Sequence, residues 1–411
     1  MLDARKHHTH FGALLLLTAI TLLFPSFLFS AGSAEEAEPD PDAELVIWVD
    51  EDRGEIMRDV GEDFSAEFGV EVTVETMGFG EIRDDLEVAG PVGEGPDIII
   101  GAHDWLGQLV GSGLVAPIEL ADIESDFLPA ALDAYMYEGE LYGMPYQMDN
   151  IALLRNPELV PSAPETFSEL TEIARDLQEN DEVEYGYIRQ EADAYHYFPI
   201  LTAFGGYVFG EDEQGYDADD VGLDSDGAIA SAEWLEGLID EGLMTEGIDG
   251  PIMDEMFIEG DAAMMIAGPW VLPALRDADV PYEIDPIPSE TDTGRPFLGV
   301  QGFMISEFSD EQLLAQTFLT DFVATEDVML RMFDAVPRPV VYEPAAERID
   351  DEDVNAFAEA GEVGAPMPAI PEMSAVWESW DNAITLVTQG QLSGEEAFRG
   401  AADQIREAVE E

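Results

Sequence analysis

The chain has 411 residues, no cysteine and a formal net charge of −76, and its only lysine is Lys6. The missing cysteines exclude disulfides, thiol catalysis and cysteine-based metal sites. A surface this acidic repels nucleic acids and acidic lipid headgroups. The length allows two domains. An acidic surface poor in lysine suits a protein that stays soluble where salt screens charge, so we interpret it as an adaptation to a saline habitat. The alternative is an acidic Ca²⁺-binding or disordered protein, against which the acids are spread through well-patterned segments.

The first 34 residues have the features of an export signal. Arg5 and Lys6 precede an apolar stretch over residues 11–29, and small residues suited to cleavage follow at 30–34. Residues 35–43 form an acidic spacer that we expect to be disordered. The prediction is therefore an exported protein, periplasmic or associated with the cell surface and without a lipid on cysteine. An uncleaved membrane anchor is the alternative reading of the leader.

Three apolar segments separated by amphipathic ones follow the spacer. Residues 45–49, 70–74 and 98–100 have the composition of strands, and the two segments between them have apolar positions at helical spacing. Gly69 stands where the first helix should end. The order β-α-β-α-β with short connections predicts parallel strands whose carboxyl ends meet at one edge of a sheet.

Polar and aromatic residues follow each of these strands. Carboxylates accept hydroxyl hydrogens, an arginine donates several N–H groups, and an aromatic ring packs on apolar C–H patches. Sugars present both kinds of surface, so the mixture favours a carbohydrate site in the crevice beyond the strand ends. Asp50 or Asp52 could instead cap the next helix, and Trp105 could belong to the core. The predicted site residues here are Asp50, Asp52, Arg53, Phe79, Asp104 and Trp105.

The remaining chain alternates further helical and strand-like segments. We predict a connector rich in helix over 115–142, strands over 151–156, 185–187 and 262–266, and helices over 167–177, from 194 onward and over 228–243. The chain has no internal repeat. Beyond the leader it has only two histidines, His103 and His196, which excludes a histidine-rich metal site.

Several short motifs in this order resemble the extracellular solute-binding proteins of ABC importers, within them the maltose/maltodextrin-binding branch. The resemblance spans Leu45 to the C-terminus. The motifs are Gly95-Pro96-Asp97-Ile98-Ile99, Ala102-His103-Asp104, Tyr142-Gly143-Met144-Pro145, Gly205-Gly206-Tyr207, Gly268-Pro269-Trp270, Phe297-Leu298-Gly299-Val300 and Met367 to Trp377.

The resemblance implies an α/β fold with two lobes and the ligand in the cleft between them. Lobe 1 would comprise residues 44–149 and 302–348, and lobe 2 residues 150–301 and 349–411, with crossings near 147–152, 300–303 and 347–353. The protein would bind maltose or maltodextrin-type oligosaccharides without turnover, close about a hinge and deliver the sugar to the membrane permease of an ABC importer. We expect a monomer without cofactor, metal or catalytic residues.

The resemblance also places individual residues at the sugar. It assigns Asp50, Asp52 and Arg53 to the first lobe, together with the loop of Asp104 and Trp105, and Asp149 to the hinge. On the facing lobe it assigns Asp193, Tyr195, Trp270, Met367 and Trp377.

Four positions depart from the pattern of enteric-type maltodextrin binders. The enteric-type binders have Trp where this chain has Gly101, and Arg where it has Trp105. They have Pro where this chain has Ala194, and Arg where it has Asp381. The departures leave chain length and linkage open.

Three alternatives remain. The same fold could bind another sugar such as trehalose, sucrose or cyclodextrin. Paired carboxylates and tryptophans also occur in glycoside hydrolases, which need two carboxyl groups on either side of the scissile bond. The protein could also be a sugar sensor that signals to a receptor.

Overall fold

The structure is a computed structural model that describes residues 43–212 and 215–410. The predicted export signal over residues 1–34 and the spacer up to residue 42 lie outside the described residues. Within the described ranges, no helix is both long and apolar enough to cross a membrane.

The first part of the chain forms the predicted β-α-β-α-β unit. Strand β1 (Glu44–Asp50) pairs in parallel with β2 (Glu71–Met77) and with β3 (Ile98–Ala102), and helices α1 (Glu51–Phe68) and α2 (Phe79–Ala89) connect them. The Asp50 side chain caps α1 by accepting the Arg53 N–H at 3.1 Å. Gly69 ends α1 with φ 75°, in the left-handed region that favours glycine. The parallel arrangement is confirmed, and the three carboxyl ends lie at one edge.

These three strands belong to a larger mixed sheet. The later strands are β4 (Val115–Ala116), β5 (Met136–Tyr137), β6 (Glu140–Leu141), β7 (Met144–Asp149), β8 (Ala152–Arg155), β9 (Phe209–Asp212), β10 (Gly215–Val221), β11 (Met264–Ala267), β12 (Glu283–Asp285), β13 (Phe297–Ser306) and β14 (Ala365–Pro366). The order of the larger sheet is β14-β13-β3-β1-β2, and β13 also pairs with β4 and β7. A second, antiparallel sheet has the order β11-β8-β12.

Helices cover much of the remaining chain and make this a mixed α/β fold. They are α3 (Leu106–Gly111), α4 (Pro129–Asp133), α5 (Phe167–Glu179), α6 (Ala194–Ala203), α7 (Asp226–Asp240), α8 (Gly250–Glu259), α9 (Leu272–Ala278), α10 (Gln312–Thr317), α11 (Glu326–Ala335), α12 (Glu343–Ala346), α13 (Glu352–Ala360), α14 (Met373–Thr388) and α15 (Gly394–Glu410).

Some predicted elements differ from the structure in kind or in bounds. Residues 185–187 do not form a strand, because only isolated bridges tie Tyr185 to Ala262 and Ile188 to Met265. The chain there packs tightly on α5, since a Cβ at Gly186 would lie 2.1 Å from the Cα of Ala174. The helix predicted over 228–243 is α7, which begins two residues earlier at the Ser225 cap and ends three residues earlier.

The buried apolar residues fall into three clusters. One draws on residues 45–146 and 300–345. A second draws on residues 151–297 and 367–405, and a third on residues 152–275 and 354–360. The first cluster therefore shares no segment with the other two. The chain passes from the first cluster to the second between residues 146 and 151, and back between residues 297 and 300.

Candidate functional site

A cavity of about 580 Å³ opens at the carboxyl ends of β1, β2 and β3. Its size falls within the range of small-molecule sites. Side chains of the first apolar cluster meet side chains of the second around it. Eleven of the twelve predicted site residues line this cavity: Asp50, Asp52, Arg53, Phe79, Asp104, Trp105, Asp149, Tyr195, Trp270, Met367 and Trp377.

Asp193 is the predicted residue that is absent from the lining. Its carboxylate caps α6 by accepting the His196 N–H at 2.8 Å, and its other oxygen lies 2.7 Å from Nδ1 of the same histidine. Although burial acts the other way, the contacts with His196 lower the pKa of Asp193. A direct role of this carboxylate at the sugar stays a prediction.

Sequence reasoning missed Arg338, which lines the same cavity and is only 6% exposed. Its guanidinium donates to Asp149 at 3.2 Å and to the exposed Asp52 at 3.4 Å, and it lies 5.6 Å from the centre of the Trp270 ring. Arg338 therefore links two carboxylates on one side of the cavity to the Trp270 ring on the other. An arginine between two prolines inside an apolar run was the available signal.

Gln301 was also missed, although a glutamine inside the apolar strand β13 is a readable signal. The carbonyl oxygen of its side chain is buried and has no partner among the described residues, and the same is true of the Arg338 Nε and of Nε and Nη2 of Arg53. The residues of the cavity therefore hold hydrogen-bonding capacity that the described protein atoms do not use. The other lining residues outside the prediction are Glu51, Met77, Gly78, Gly80, Arg83, Ala102 and Gly299.

A buried ionic network forms one wall. Arg53 pairs with Asp50, and Gln147 donates to Asp149 at 3.1 Å. Burial raises the pKa of Asp149 above its ordinary value, and the positive charges of Arg338 and Arg53 oppose that rise. Tyr146 and the neighbouring carboxylates raise the pKa of Arg53 despite its burial, so this side chain is a permanent cation.

Asp104 lies in the loop after β3 and is buried. Burial raises its pKa to about 6, while hydrogen bonds, one of them with Trp377, oppose the rise. The preceding residue, His103, bridges two segments: Nδ1 accepts the Val300 N–H at 3.1 Å, and Nε2 lies 3.3 Å from the Met367 carbonyl oxygen. Burial lowers the pKa of His103 to about 4, which keeps the ring neutral. The contact with the Met367 carbonyl ties that segment to the loop after β3.

Aromatic rings form the remaining walls. On the side of the first cluster, Phe79 and Trp105 lie 4.7 Å apart between ring centres at a 43° tilt. On the other side, Trp270 lies 6.4 Å from Tyr195, and Trp377 is partly exposed at the cavity. Trp380, one turn along from Trp377, is fully buried in the core. The arrangement offers apolar faces, carboxylate acceptors and guanidinium donors to one ligand.

Comparisons with known proteins identify the family of the chain. The sequence model of a family described as bacterial extracellular solute-binding protein matches residues 59–362. The chain is 28% identical over 380 residues to the galactooligosaccharide-binding protein of Bacillus subtilis (strain 168), which covers 89% of each chain. It is 28% identical over 416 residues to the maltodextrin-binding protein MdxE of the same organism, covering 97% of this chain and 99% of the relative.

A third relative comes from another organism. The maltotriose-binding protein of Pyrococcus abyssi (strain GE5 / Orsay) is 29% identical over 354 residues, covering 83% of this chain and 76% of that protein. The three relatives are named for binding oligosaccharides.

Proposed function

Because the chain belongs to the bacterial extracellular solute-binding proteins, we propose that it binds maltose or maltodextrin-type oligosaccharides and delivers them to the membrane permease of an ABC importer. It acts by binding and release, as an exported monomer without cofactor. The relatives named for maltodextrin and maltotriose support this ligand, and because one relative is named for galactooligosaccharide, such a sugar is the next to test.

The observation that carries the proposal is the convergence of two kinds of surface on one cavity. Phe79, Trp105, Trp270 and Trp377 supply apolar ring faces. Carboxylates and guanidinium groups, with Asp149 and Arg338 among them, lie between those rings. A pyranose has hydroxyls around its edge and C–H patches on its faces, so it satisfies both surfaces at once.

The charge of the site favours a neutral ligand. Five carboxylates line the cavity beside three guanidinium groups, in a chain with a formal net charge of −76. An anionic sugar would enter against this field. A neutral oligosaccharide pays no such electrostatic cost and still finds both donors and acceptors.

The division of the core supports the proposal of two lobes. The first apolar cluster draws on residues within 44–149 and 300–345, and the other two clusters draw on the intervening and the C-terminal segments. In this proposal, lobe 1 (residues 44–149 and 302–348) and lobe 2 (residues 150–301 and 349–411) close over the sugar by a hinge motion. The sugar favours closure only to the extent that it binds the closed form more tightly.

The test is a titration of the chain from Glu35, in molar salt, monitored by tryptophan fluorescence. The ligands are maltose, maltotriose, a longer maltodextrin, trehalose and a galactooligosaccharide. We expect a saturable change with the maltose series, and intact sugar recovered at the end. Saturation by trehalose or the galactooligosaccharide alone would reject the maltose series, and sugar hydrolysis would reject a pure binding function.

A further inference from the structure

A hydrogen bond joins the first turn of α6 to α14 beside the cavity. The Ala194 N–H donates to Oδ1 of Asp381 at 2.7 Å, and Ala194 is almost fully buried. Ala194 is the first residue of α6. The N–H groups of a first helical turn have no partner within the helix, so the Asp381 carboxyl satisfies a donor that the helix leaves free.

Both joined elements carry an aromatic wall of the cavity. Tyr195 follows Ala194 directly in the first turn of α6, and Trp377 lies four residues before Asp381 on α14. Residues four apart on a helix lie on the same face. The Ala194–Asp381 hydrogen bond therefore connects the backbone next to Tyr195 with the face of α14 that carries Trp377.

The same turn of α6 reaches the third ring of this side. The His196 ring lies 5.5 Å from Trp270 at 79° and 5.6 Å from Tyr195 at 77°. The Asp193 carboxylate holds that imidazole through Nδ1 at 2.7 Å. The placement of Tyr195 and Trp270 thus depends on where the first turn of α6 lies.

We propose that Asp381 is a positioning residue, which holds the first turn of α6 against α14 and so sets the geometry of Tyr195 and Trp377 for the sugar. The proposal rests on the sugar-binding function given above. It assigns a role to two departures from the maltodextrin-binding pattern, Ala194 and Asp381, which are hydrogen-bond partners in the structure.

The charges around Asp381 agree with a structural acceptor. Burial raises the pKa of Asp381 to about 7. The charge of Asp193, at the cap of α6, raises that pKa further, and the charge of Arg189, in the adjoining segment, lowers it. A carboxyl group accepts the Ala194 N–H in either protonation state. An asparagine can accept the same bond through its side-chain oxygen, whereas an alanine cannot.

Either end of the bond can be removed separately. Asp381→Ala removes the acceptor. Ala194→Pro removes the donor, and proline is well tolerated at the first position of a helix. We expect each change to weaken oligosaccharide affinity about tenfold, the double variant to be no weaker than either single one, and Asp381→Asn to bind like the wild type. Glu378→Ala, at an exposed acid next to Trp377, is the control for α14.

Ligand-free measurements separate this proposal from the proposed function. Hydrogen exchange at the Ala194 amide should be slow in the wild type and faster in Asp381→Ala, and near-UV circular dichroism of the aromatic residues should change in both single variants. Unchanged spectra and exchange overturn the proposal whether or not a sugar binds. If the wild type binds sugar, additive losses in the double variant, or wild-type affinity in Asp381→Ala, also overturn it.

Discussion

The indole of Trp105 lies where a side chain at residue 101 would begin. A Cβ built on Gly101 would be 2.3 Å from Cζ3 of Trp105, far inside contact distance. On the facing side of the cavity a glycine and a tryptophan make the same contact, since a Cβ on Gly268 would lie 2.1 Å from Cζ3 of Trp270. Glycine at these two positions lets each ring lie directly on the end of a strand, so two departures from the maltodextrin-binding pattern, Gly101 and Trp105, are again partners in space.

Replacing Gly101 with alanine should displace the Trp105 ring. The added methyl group meets the indole and not a flexible chain end, so we expect destabilisation of about 1–3 kcal/mol together with weaker sugar binding and altered tryptophan emission. Equilibrium unfolding and the fluorescence titration measure the two effects. Gly111→Ala is the control, because a Cβ there meets nothing within 4 Å; equal effects in the two variants would disprove the seating of Trp105 on Gly101.

Trp270→Ala should weaken sugar binding far more than it lowers folding stability. The Trp270 ring is partly exposed at the cavity, whereas Trp380 is fully buried. Trp380→Ala should show the opposite balance, with a loss of about 3–5 kcal/mol of unfolding free energy and little change in affinity for the protein that remains folded. Chemical denaturation and titration of both variants decide the matter, and equal losses in Trp270→Ala would mark that ring as core.

The edge of the site could be predicted from local pattern. Three strands with a helix between each pair and short connections form a parallel unit, which brings Asp50, Phe79 and Asp104 to one edge without any knowledge of the remaining chain. The resemblance supplied the facing residues. Trp377, which the resemblance assigned to the facing lobe, is partly exposed at the cavity, whereas Trp380 on the same helix is fully buried.

Long-range pairing set the limit of sequence reasoning. Arg338 reaches the cavity because the Met148 N–H donates to the Pro339 carbonyl at 2.9 Å, a contact across 191 residues that no local pattern encodes. Asp193 shows the converse. The resemblance assigned it to the sugar, and in the structure both of its oxygens contact His196 and it does not line the cavity, so its role at the sugar stays a prediction.

Sugar affinity should rise with pH as Asp104 ionises. Burial raises the pKa of this carboxyl to about 6, and the ionised form makes stronger hydrogen bonds with hydroxyl groups. Folding responds with the opposite sign: the folded state binds this proton more tightly than the unfolded chain, so the contribution to stability falls as pH rises from about 4 to about 6. Titrations between pH 5 and 8 should show the affinity change in the wild type and lose it in Asp104→Asn.

Asp254 provides the matched control for that experiment. Burial also raises its pKa to about 6, but it does not line the cavity. Asp254→Asn should therefore alter the pH dependence of stability and leave the pH dependence of affinity unchanged. A flat affinity profile in the wild type would rule out Asp104 as a titrating acceptor.

Arg338→Met should leave the Asp149 carboxylate buried without the ion pair to Arg338. Loss of one member of a buried pair costs on the order of 3 kcal/mol, and the affinity for sugar should fall because the Trp270 face and Asp149 both lose a contact. Arg338 opposes the rise in the pKa of Asp149, so its removal moves that pKa further up. The fall of stability with increasing pH should then extend to higher pH than in the wild type.

Two further variants test that account of Arg338. Arg348 forms an exposed pair with Glu326, so Arg348→Met should cost less than about 1 kcal/mol. Adding Asp149→Asn to Arg338→Met should recover part of the lost stability, because the unpaired charge is gone. No recovery in the double variant would show that packing, and not the charge of Asp149, is what Arg338 contributes.

Stability should rise steeply with salt. A formal charge of −76 repels itself most strongly in the compact state, and the arginines that pair with acids, such as Arg276 with Asp351 and Asp353, are few. The screening length falls from about 10 Å at 0.1 M to about 3 Å at 1 M salt, so added salt removes repulsion between exposed acids while the buried Asp149–Arg338 pair is screened much less. Thermal unfolding from 0.1 to 3 M NaCl should therefore show a rising midpoint whose main change lies below about 1 M. Sucrose at matched osmolality is the control: an equal rise in sucrose would assign the effect to solvent exclusion in place of charge screening.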